Sequence, residues 1–185
     1  ELSLGIIGLG RIGSSIANKF LPFSRNIGFY DPYIPNGYEK IFGITRYKSL
    51  ENLLKVSDIV SLNTPLNNET KGMINKDFLN QMKKGAYLIN LSRGPIVANN
   101  ELILEKLLTN ELEGYATDVW INEPPLEKDK LYIAWKSNNH SLRGRIIVNP
   151  HTAYFSEEAL LESRSKACVT CLDIINSNKI NNRIV

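Results

Sequence analysis

The chain has 185 residues, enough for one well-packed domain and short for two. Hydrophobic residues make up 43% of it and charged residues 22%, which excludes a collagen-like, coiled-coil or wholly disordered protein. Uncharged runs such as 59–68 are far shorter than the roughly 20 apolar residues of a membrane helix. The 22 basic and 19 acidic side chains give a net charge of +3 and are scattered, so we expect no nucleic-acid or membrane partner.

Short apolar runs alternate with helical stretches along the whole chain. The pattern predicts strands at 2–7, 27–30, 59–62, 87–90, 114–119 and 146–148. It predicts helices at 11–21, 49–56, 75–82, 99–112 and 156–175, and a long surface loop at 122–139 that can include a helical turn. Strands separated by helices form right-handed βαβ units, so we predict an α/β, doubly wound, mostly parallel sheet of the Rossmann type with helices on both faces.

A glycine-rich turn lies between the first predicted strand and the first predicted helix. It reads GLGRIG at 8–13, in which Gly8 permits a tight turn, Gly10 lets a pyrophosphate approach the backbone and Gly13 lets the helix pack on the strand. Asp31 follows about 20 residues later, at the end of the second predicted strand. An acid there accepts the ribose hydroxyls of NAD and repels the additional phosphate of NADP, although Asp31 before Pro32 also suits a simple turn.

Three further polar residues each follow the end of a predicted strand. Arg93 follows 87–90, Glu123 follows 114–119 and His151 follows 146–148. The carboxyl ends of parallel strands meet at one edge of the sheet, where ligands bind. Arg can hold a carboxylate, His can transfer a proton near neutral pH, and a carboxylate can orient that His. Each residue alone also suits an ordinary surface or packing role, but together they favour interconversion of a 2-oxo acid and a 2-hydroxy acid.

The two cysteines are more typical of structural residues than of a redox or metal site. Cys168 and Cys171 have CxxC spacing, but no second Cys or His pair follows, so we predict buried structural thiols and no metal site. Leu160 and Ile174 share the predicted helix face of Cys171. Two cysteines and no signal peptide predict a cytoplasmic protein. Because the sequence starts with Glu1 at the first strand, we expect a domain of a longer protein.

Six sequence blocks resemble the NAD-binding domain of the D-isomer-specific 2-hydroxyacid dehydrogenases. They are GIIGLGRIG at 5–13, YDPY at 30–33, LNTPLNNETKGMIN at 62–75, GAYLINLSRGPIV at 85–97, GYATDVWINEPP at 114–125 and NPHTAYFSEEA at 149–159. Within the family, FYDPYIPNG at 29–37 and PHTAYFSEEALLESR at 150–164 are most similar to the C-terminal-binding-protein-like and phosphoglycerate-dehydrogenase-like branch.

The resemblance implies specific roles for residues of this chain. It implies that Arg93 binds the substrate, that His151 donates or accepts the proton and that Glu123 is the carboxylate partner of His151. It implies NAD as the cofactor, a small 2-oxo or 2-hydroxy acid as the substrate, and a homodimer. The implied cofactor contacts are Gly8, Gly10, Arg11, Ile12, Gly13, Asp31, Thr64, Pro65, Leu91, Ser92, Arg93, Asp118 and His151.

The resemblance also implies a domain organisation. Residues 1–152 form the NAD-binding domain, and residues 153–185 form a long helix and tail leading back toward a substrate domain that is absent from this chain. Three functions remain open from the sequence. They are an NAD-dependent oxidoreductase, an NAD(H)-sensing scaffold of the corepressor type, and a methyltransferase that uses S-adenosylmethionine.

Overall fold

The computed structural model describes residues 1–137 and 140–177. The strands β1 to β7 span Leu4–Ile7, Ile27–Tyr30, Thr45–Arg46, Ile59–Leu62, Ala86–Asn90, Leu112–Thr117 and Ile146–Val148. The helices α1 to α7 span Arg11–Phe20, Tyr38–Phe42, Leu50–Val56, Lys76–Gln81, Asn100–Leu108, Lys130–Lys136 and Glu157–Ser177, with 3₁₀ turns at Gly94–Ile96 and His140–Leu142. The chain divides into two compact units, Glu1–Pro150 and His151–Val185.

The seven strands within the described residues form one parallel sheet in the order β3-β2-β1-β4-β5-β6-β7. The chain builds β1 to β3 in one direction and then returns to place β4 on the other side of β1. This reversal leaves a crevice at the carboxyl ends of β1 and β4, which is where open α/β sheets bind ligands. The predicted doubly wound Rossmann fold is therefore confirmed.

The hydrophobic core occupies both faces of the sheet. Leu4 and Ile6 of β1 lie level with Ile27 and Phe29 of β2, and all four belong to a cluster with Ala17 of α1. The neighbouring Ile7 points to the opposite face, because side chains alternate along a strand. There it joins a larger cluster that includes residues of β4, β5 and α3 to α6, among them Leu53, Val60, Leu62, Phe78, Leu88, Ile103 and Leu131.

Side-chain caps fix several helix starts that the sequence predicts. Ser49 accepts a hydrogen bond from the Asn52 amide at 3.3 Å, as a predicted N-cap should. Asn75 accepts one from the Phe78 amide at 3.0 Å, so it caps α4 instead of forming its first residue. These caps move the predicted boundaries by one residue and leave the order of elements unchanged.

Two predictions about the second half of the sheet are wrong. Leu112 is not the end of a helix but the first residue of β6, because α5 ends at Leu108 and Asn110 takes a left-handed conformation with φ of 56°. The predicted loop at 122–139, whose residues 138 and 139 lie outside the described residues, contains the seven-residue helix α6 and so is more helical than the single turn that the sequence allowed for. Asp129 starts that helix by accepting hydrogen bonds from the amides of Leu131 and Tyr132.

The second unit contains the helix α7 at Glu157–Ser177. Cys168 and Cys171 are both exposed, so the prediction of buried thiols is wrong. The shared spacing of apolar residues identified a helix face but could not tell whether that face is covered. Leu161 and Ile175 of α7 are likewise 66% and 76% exposed. None of the helices in ranges 1–137 and 140–177 has the length and hydropathy to span a bilayer.

Candidate active site

The glycine-rich turn joins β1 to α1 with the geometry that a phosphate group needs. Gly8 has a φ of +87°, and a Cβ atom there would lie 2.8 Å from the carbonyl oxygen of Asn63. A Cβ atom on Gly13 would lie 2.1 Å from the carbonyl oxygen of Gly8, so only glycine lets α1 start this close to β1. Gly10, the N-cap of α1, has no atom within 4 Å of its Cβ position. That space lies before the first-turn amides, which attract anions.

Asp31 is fixed by two backbone amides at the end of β2. Its Oδ2 atom accepts a hydrogen bond from the Leu9 amide at 2.9 Å, and its Oδ1 atom accepts one from the Tyr33 amide at 2.9 Å. Leu9 belongs to the glycine-rich turn, so the Asp31 carboxylate is hydrogen-bonded to the turn that is predicted to bind the phosphates. An acid at this position can accept hydrogen bonds from a ribose while keeping the turn in place.

A cleft of about 510 Å³ extends along this edge of the sheet. Five residues predicted to bind the cofactor line it: Gly8, Gly10, Asp31, Thr64 and Pro65. The sequence-based reasoning missed further lining residues, which are Tyr33, Leu50, Asn63, Asn67, Glu69, Thr70 and Met73. A cleft of this size suits a small molecule or cofactor.

Two buried polar atoms at the cleft fit a hydrogen-bonding ligand. The Oγ1 atom of Thr64 and the Oδ1 atom of Asn63 are buried without a hydrogen-bond partner within the described residues. Buried polar atoms in folded proteins nearly always have partners. The Asn63 amide cannot simply turn over, because its Nδ2 atom donates to the carbonyl oxygen of Ser61 at 3.2 Å. Together with the open space at Gly10, these atoms fit a dinucleotide.

The turn that follows β5 presents Arg93 on a rigid base. Asn90 is buried, accepts a hydrogen bond from the Ser92 amide at 3.0 Å and donates one to the Arg93 carbonyl oxygen at 3.2 Å. The Ser92 hydroxyl donates to the Leu62 carbonyl oxygen at 2.8 Å, which ties the turn to the end of β4. Leu91 and Arg93 themselves are exposed. The Arg93 side chain, which donates to the Ser92 carbonyl oxygen at 2.7 Å, is therefore accessible to a ligand.

The turn after β5 packs directly on the segment after β6. A Cβ atom on Gly94 would lie 1.7 Å from the Trp120 carbonyl oxygen, so only glycine permits this approach. Asp118, which is buried, donates its backbone amide to the Asn90 carbonyl oxygen at 3.1 Å. Glu123 accepts a hydrogen bond from the Trp120 amide at 2.9 Å. The structure thus brings the segments that carry Arg93, Asp118 and Glu123 together at one edge of the sheet.

His151 is the first residue of the second unit. It has a left-handed conformation with φ of 54°, uncommon for a residue other than glycine and often found at functional sites. Its ring meets the Tyr154 ring edge to face, with centroids 6.4 Å apart. Along the chain it comes three residues after Val148, the last residue of β7.

The family model described as "D-isomer specific 2-hydroxyacid dehydrogenase, NAD binding domain" matches residues 1–153. The chain belongs to this family. The match confirms the resemblance found in the sequence blocks and decides against the methyltransferase alternative. NAD is accordingly the cofactor of this domain, and the glycine-rich turn, Asp31 and Thr64 are features of this chain that fit it.

This dehydrogenase domain matches only part of the length of its relatives. D-3-phosphoglycerate dehydrogenase of Bacillus subtilis is 36% identical over 159 residues, which are 86% of this chain and 28% of that protein. Formate dehydrogenase of Chaetomium thermophilum is 38% identical over 124 residues, 65% of this chain and 33% of that protein. A solved D-lactate dehydrogenase from Aquifex aeolicus, complexed with NAD and lactic acid, has a TM-score of 0.81 and 30% identity, covering 94% of this chain and 53% of that one.

Proposed function

We propose that this dehydrogenase domain is the cofactor-binding part of an NAD-dependent oxidoreductase that interconverts a 2-oxo acid and a D-2-hydroxy acid. The single observation that carries the proposal is the contact between the turn bearing Arg93 and the segment bearing Glu123, in a domain with a cleft lined by Gly8, Asp31 and Thr64. The family match and the solved relative with NAD and lactic acid support the same chemistry. When bound, the nicotinamide cofactor supplies or accepts the hydride.

Arg93 is proposed to bind the substrate. A guanidinium group can donate two parallel hydrogen bonds to a carboxylate, and it can also stabilise the negative charge that develops on the carbonyl oxygen during reduction. The backbone of Arg93 is held through Asn90 and Ser92. Because the base is rigid, the side chain needs little reorganisation to meet an anionic substrate.

His151 and Glu123 are proposed to handle the proton. In the direction of reduction, His151 gives its proton to the oxygen that becomes the hydroxyl group, so it must be protonated when the oxo acid binds. A carboxylate partner orients the imidazole for proton transfer, which is the role we assign to Glu123. In the opposite direction, the neutral imidazole accepts the hydroxyl proton.

Other cofactor contacts are proposed from the family resemblance. They involve Arg11, Ile12, Pro65, Leu91, Ser92, Arg93, Asp118 and His151, in addition to the glycines, Asp31 and Thr64. The chain spans about half the length of the solved relative and a third or less of the two curated relatives. We therefore propose that this chain alone binds NADH but does not turn over, because a second domain must hold the substrate and exclude water.

The longer protein is proposed to be a homodimer located in the cytoplasm, with the cofactor domain at 1–152 and the connecting helix and tail at 153–185. The basis for the dimer and for the domain limits is the family resemblance. Sedimentation of the longer protein as a monomer at micromolar concentration would contradict the dimer. Fractionation of cells with an antibody against this chain would test the location.

The experiment that tests the function is NADH oxidation by the longer protein with a panel of 2-oxo acids, including glyoxylate, pyruvate and a bulkier aromatic acid. We expect turnover with at least one of them and its loss in Arg93→Ala, while Arg93→Lys keeps the charge without the planar group and is also impaired. Tight NADH binding without turnover on any 2-oxo acid would instead favour the NAD(H)-sensing scaffold.

A further inference from the structure

The two walls of the cofactor cleft are joined by a side-chain hydrogen bond. The Tyr33 hydroxyl donates to the Oε2 atom of Glu69. Tyr33 lies between β2 and α2, whereas Glu69 lies between β4 and α4, and β1 separates these two strands in the sheet. Both residues line the cleft, yet both are exposed, with Tyr33 at 71%. They therefore lie at the mouth of the cleft and not on its floor.

Both ends of this Tyr33–Glu69 bridge are held in place by local hydrogen bonds. The Tyr33 amide donates to Asp31, the residue assigned to the ribose. The Glu69 amide donates to the Oδ1 atom of Asn67 at 3.0 Å, and the Thr70 hydroxyl donates to the Pro65 carbonyl oxygen at 2.6 Å. Because these bonds order the backbone on each side, the bridge forms without ordering a loose loop.

The chemistry of the bridge favours its persistence at neutral pH. A hydroxyl that donates to an ionised carboxylate makes a stronger hydrogen bond than one between neutral groups. Acceptance by Glu69 raises the pKa of the Tyr33 phenol, so the phenol keeps the proton that it donates. Because both side chains are exposed to solvent, the Tyr33–Glu69 hydrogen bond is weak and opens readily. It would therefore slow the passage of a ligand into the cleft without blocking it.

We propose that the Tyr33–Glu69 bridge is a gate across the adenosine end of the cleft, which must open before NAD(H) enters or leaves. This inference rests on the NAD assignment and adds a kinetic role for two residues outside the glycine-rich turn. Its physical basis is that the bridge joins the two loops between which the adenosine must pass to reach Asp31. The bridge sits beside Asp31 in the chain, so it acts at the adenosine end and not at the reacting end.

A gate differs from a direct contact in its kinetic signature. Removing a contact to the bound cofactor speeds dissociation and leaves association unchanged, so the affinity falls. Removing a gate speeds both association and dissociation by the same factor, so the affinity stays constant. The two substitutions that break one bridge must also have the same effect singly and together.

The test is stopped-flow binding of NADH to the chain, followed by nucleotide fluorescence, for wild type, Tyr33→Phe, Glu69→Ala and the double variant. We expect both rate constants to rise about fivefold in each of the three variants, with Kd within twofold of wild type. Tyr87→Phe is the matched control, since Tyr87 is also exposed but lies outside the lining of the cleft, and it should leave both rates unchanged.

Other results would overturn the gate. They are unchanged rates, a faster dissociation alone, or single effects that multiply in the double variant. Thermal unfolding of each variant checks that these exposed substitutions leave the fold intact. Failure of the wild-type chain to bind NADH at all would overturn the cofactor assignment itself, and so it is distinguishable from failure of the gate.

Discussion

Asp31 should weaken the binding of NADP(H), because its carboxylate cannot rotate away from an approaching phosphate. Each oxygen is held by a different amide, those of Leu9 and Tyr33, both at 2.9 Å. A 2′-phosphate on a ribose bound by this carboxylate would bring a second negative charge close to it. At a separation of about 4 to 5 Å and an effective dielectric constant of about 20 to 80, two unit charges repel each other by roughly 1 to 4 kcal/mol. We therefore expect NADPH to bind at least about fivefold more weakly than NADH.

Asp31→Asn removes this charge while keeping the shape of the side chain. The amide oxygen can still accept from one backbone amide, whereas the NH₂ group opposes the other, at a cost to folding of about 1 kcal/mol. NADH should bind about tenfold more weakly, because the ribose loses a charged acceptor. NADPH loses less, so the ratio of the two Kd values should fall to about threefold or below.

Titration calorimetry with both cofactors measures this ratio directly. Asp77→Asn is the matched control, since Asp77 is an exposed aspartate of α4 outside the lining of the cleft, and its ratio should equal that of wild type. An equal affinity of the wild-type chain for NADH and NADPH would refute the assignment of Asp31. So would a ratio that is the same in Asp31→Asn and wild type.

Three further predictions concern packing, pH dependence and catalysis. Gly13→Ala places a Cβ atom 2.1 Å from a backbone carbonyl oxygen, so it should lower the free energy of unfolding by about 1 to 3 kcal/mol, measured by thermal unfolding without cofactor. Gly10→Ala has open space at its Cβ position and should melt close to wild type. Equal melting temperatures for the two variants contradict this packing. The ion pair with Lys83 and two hydrogen bonds from Ser3 lower the pKa of Asp58 from its usual 3.8 to about 2, so the stability that its carboxylate contributes is complete above about pH 5 and is lost as the pH falls through 2. In urea titrations at pH 7, Asp58→Asn should lower the free energy of unfolding by about 1 kcal/mol after allowance for solvent screening. A loss of stability that does not depend on pH refutes the ion pair. In the longer protein, His151→Ala should lower kcat about 100-fold while NADH affinity changes little. Glu123→Gln should also lower kcat, because the imidazole loses the carboxylate that orients it, and a near-normal kcat in either variant contradicts the respective role.

The sequence predicted the elements with strong periodicity and missed those set by single residues. β2, β4 and β7 have the predicted limits, because each is a short apolar run. The end of α5 depends on the left-handed Asn110, which no apolar pattern marks. The helix α6 was not predicted, because it follows a stretch with two prolines and many charges. Asp129, a residue type common at the N-cap, could have indicated where the helix starts. The very short α2 and β3 carry too few residues for periodicity to be visible.

Part of the cleft lining was predictable, because the glycine spacing and Asp31 reflect local backbone demands. The additional cleft residues were not, since they come together only through the strand order. Tyr33 and Glu69 meet because β2 and β4 flank β1, a neighbourhood that no local motif encodes. The exposure of Cys168 and Cys171 was equally inaccessible, because spacing defines a helix face without identifying what lies against it.

The hydrogen bonds of the turn after β5 should slow the exchange of its backbone amide hydrogens with solvent. The Ser92 amide bonds to Asn90, the Ser92 hydroxyl bonds to Leu62, and Gly94 lies against the Trp120 backbone. The Ser92 amide should therefore exchange with solvent as slowly as amides of the central strands, although it belongs to a loop. The turn that presents Arg93 is then among the last parts of the domain to open. A motion that admits a ligand to this edge of the sheet would have to involve other segments, while this turn stays in place.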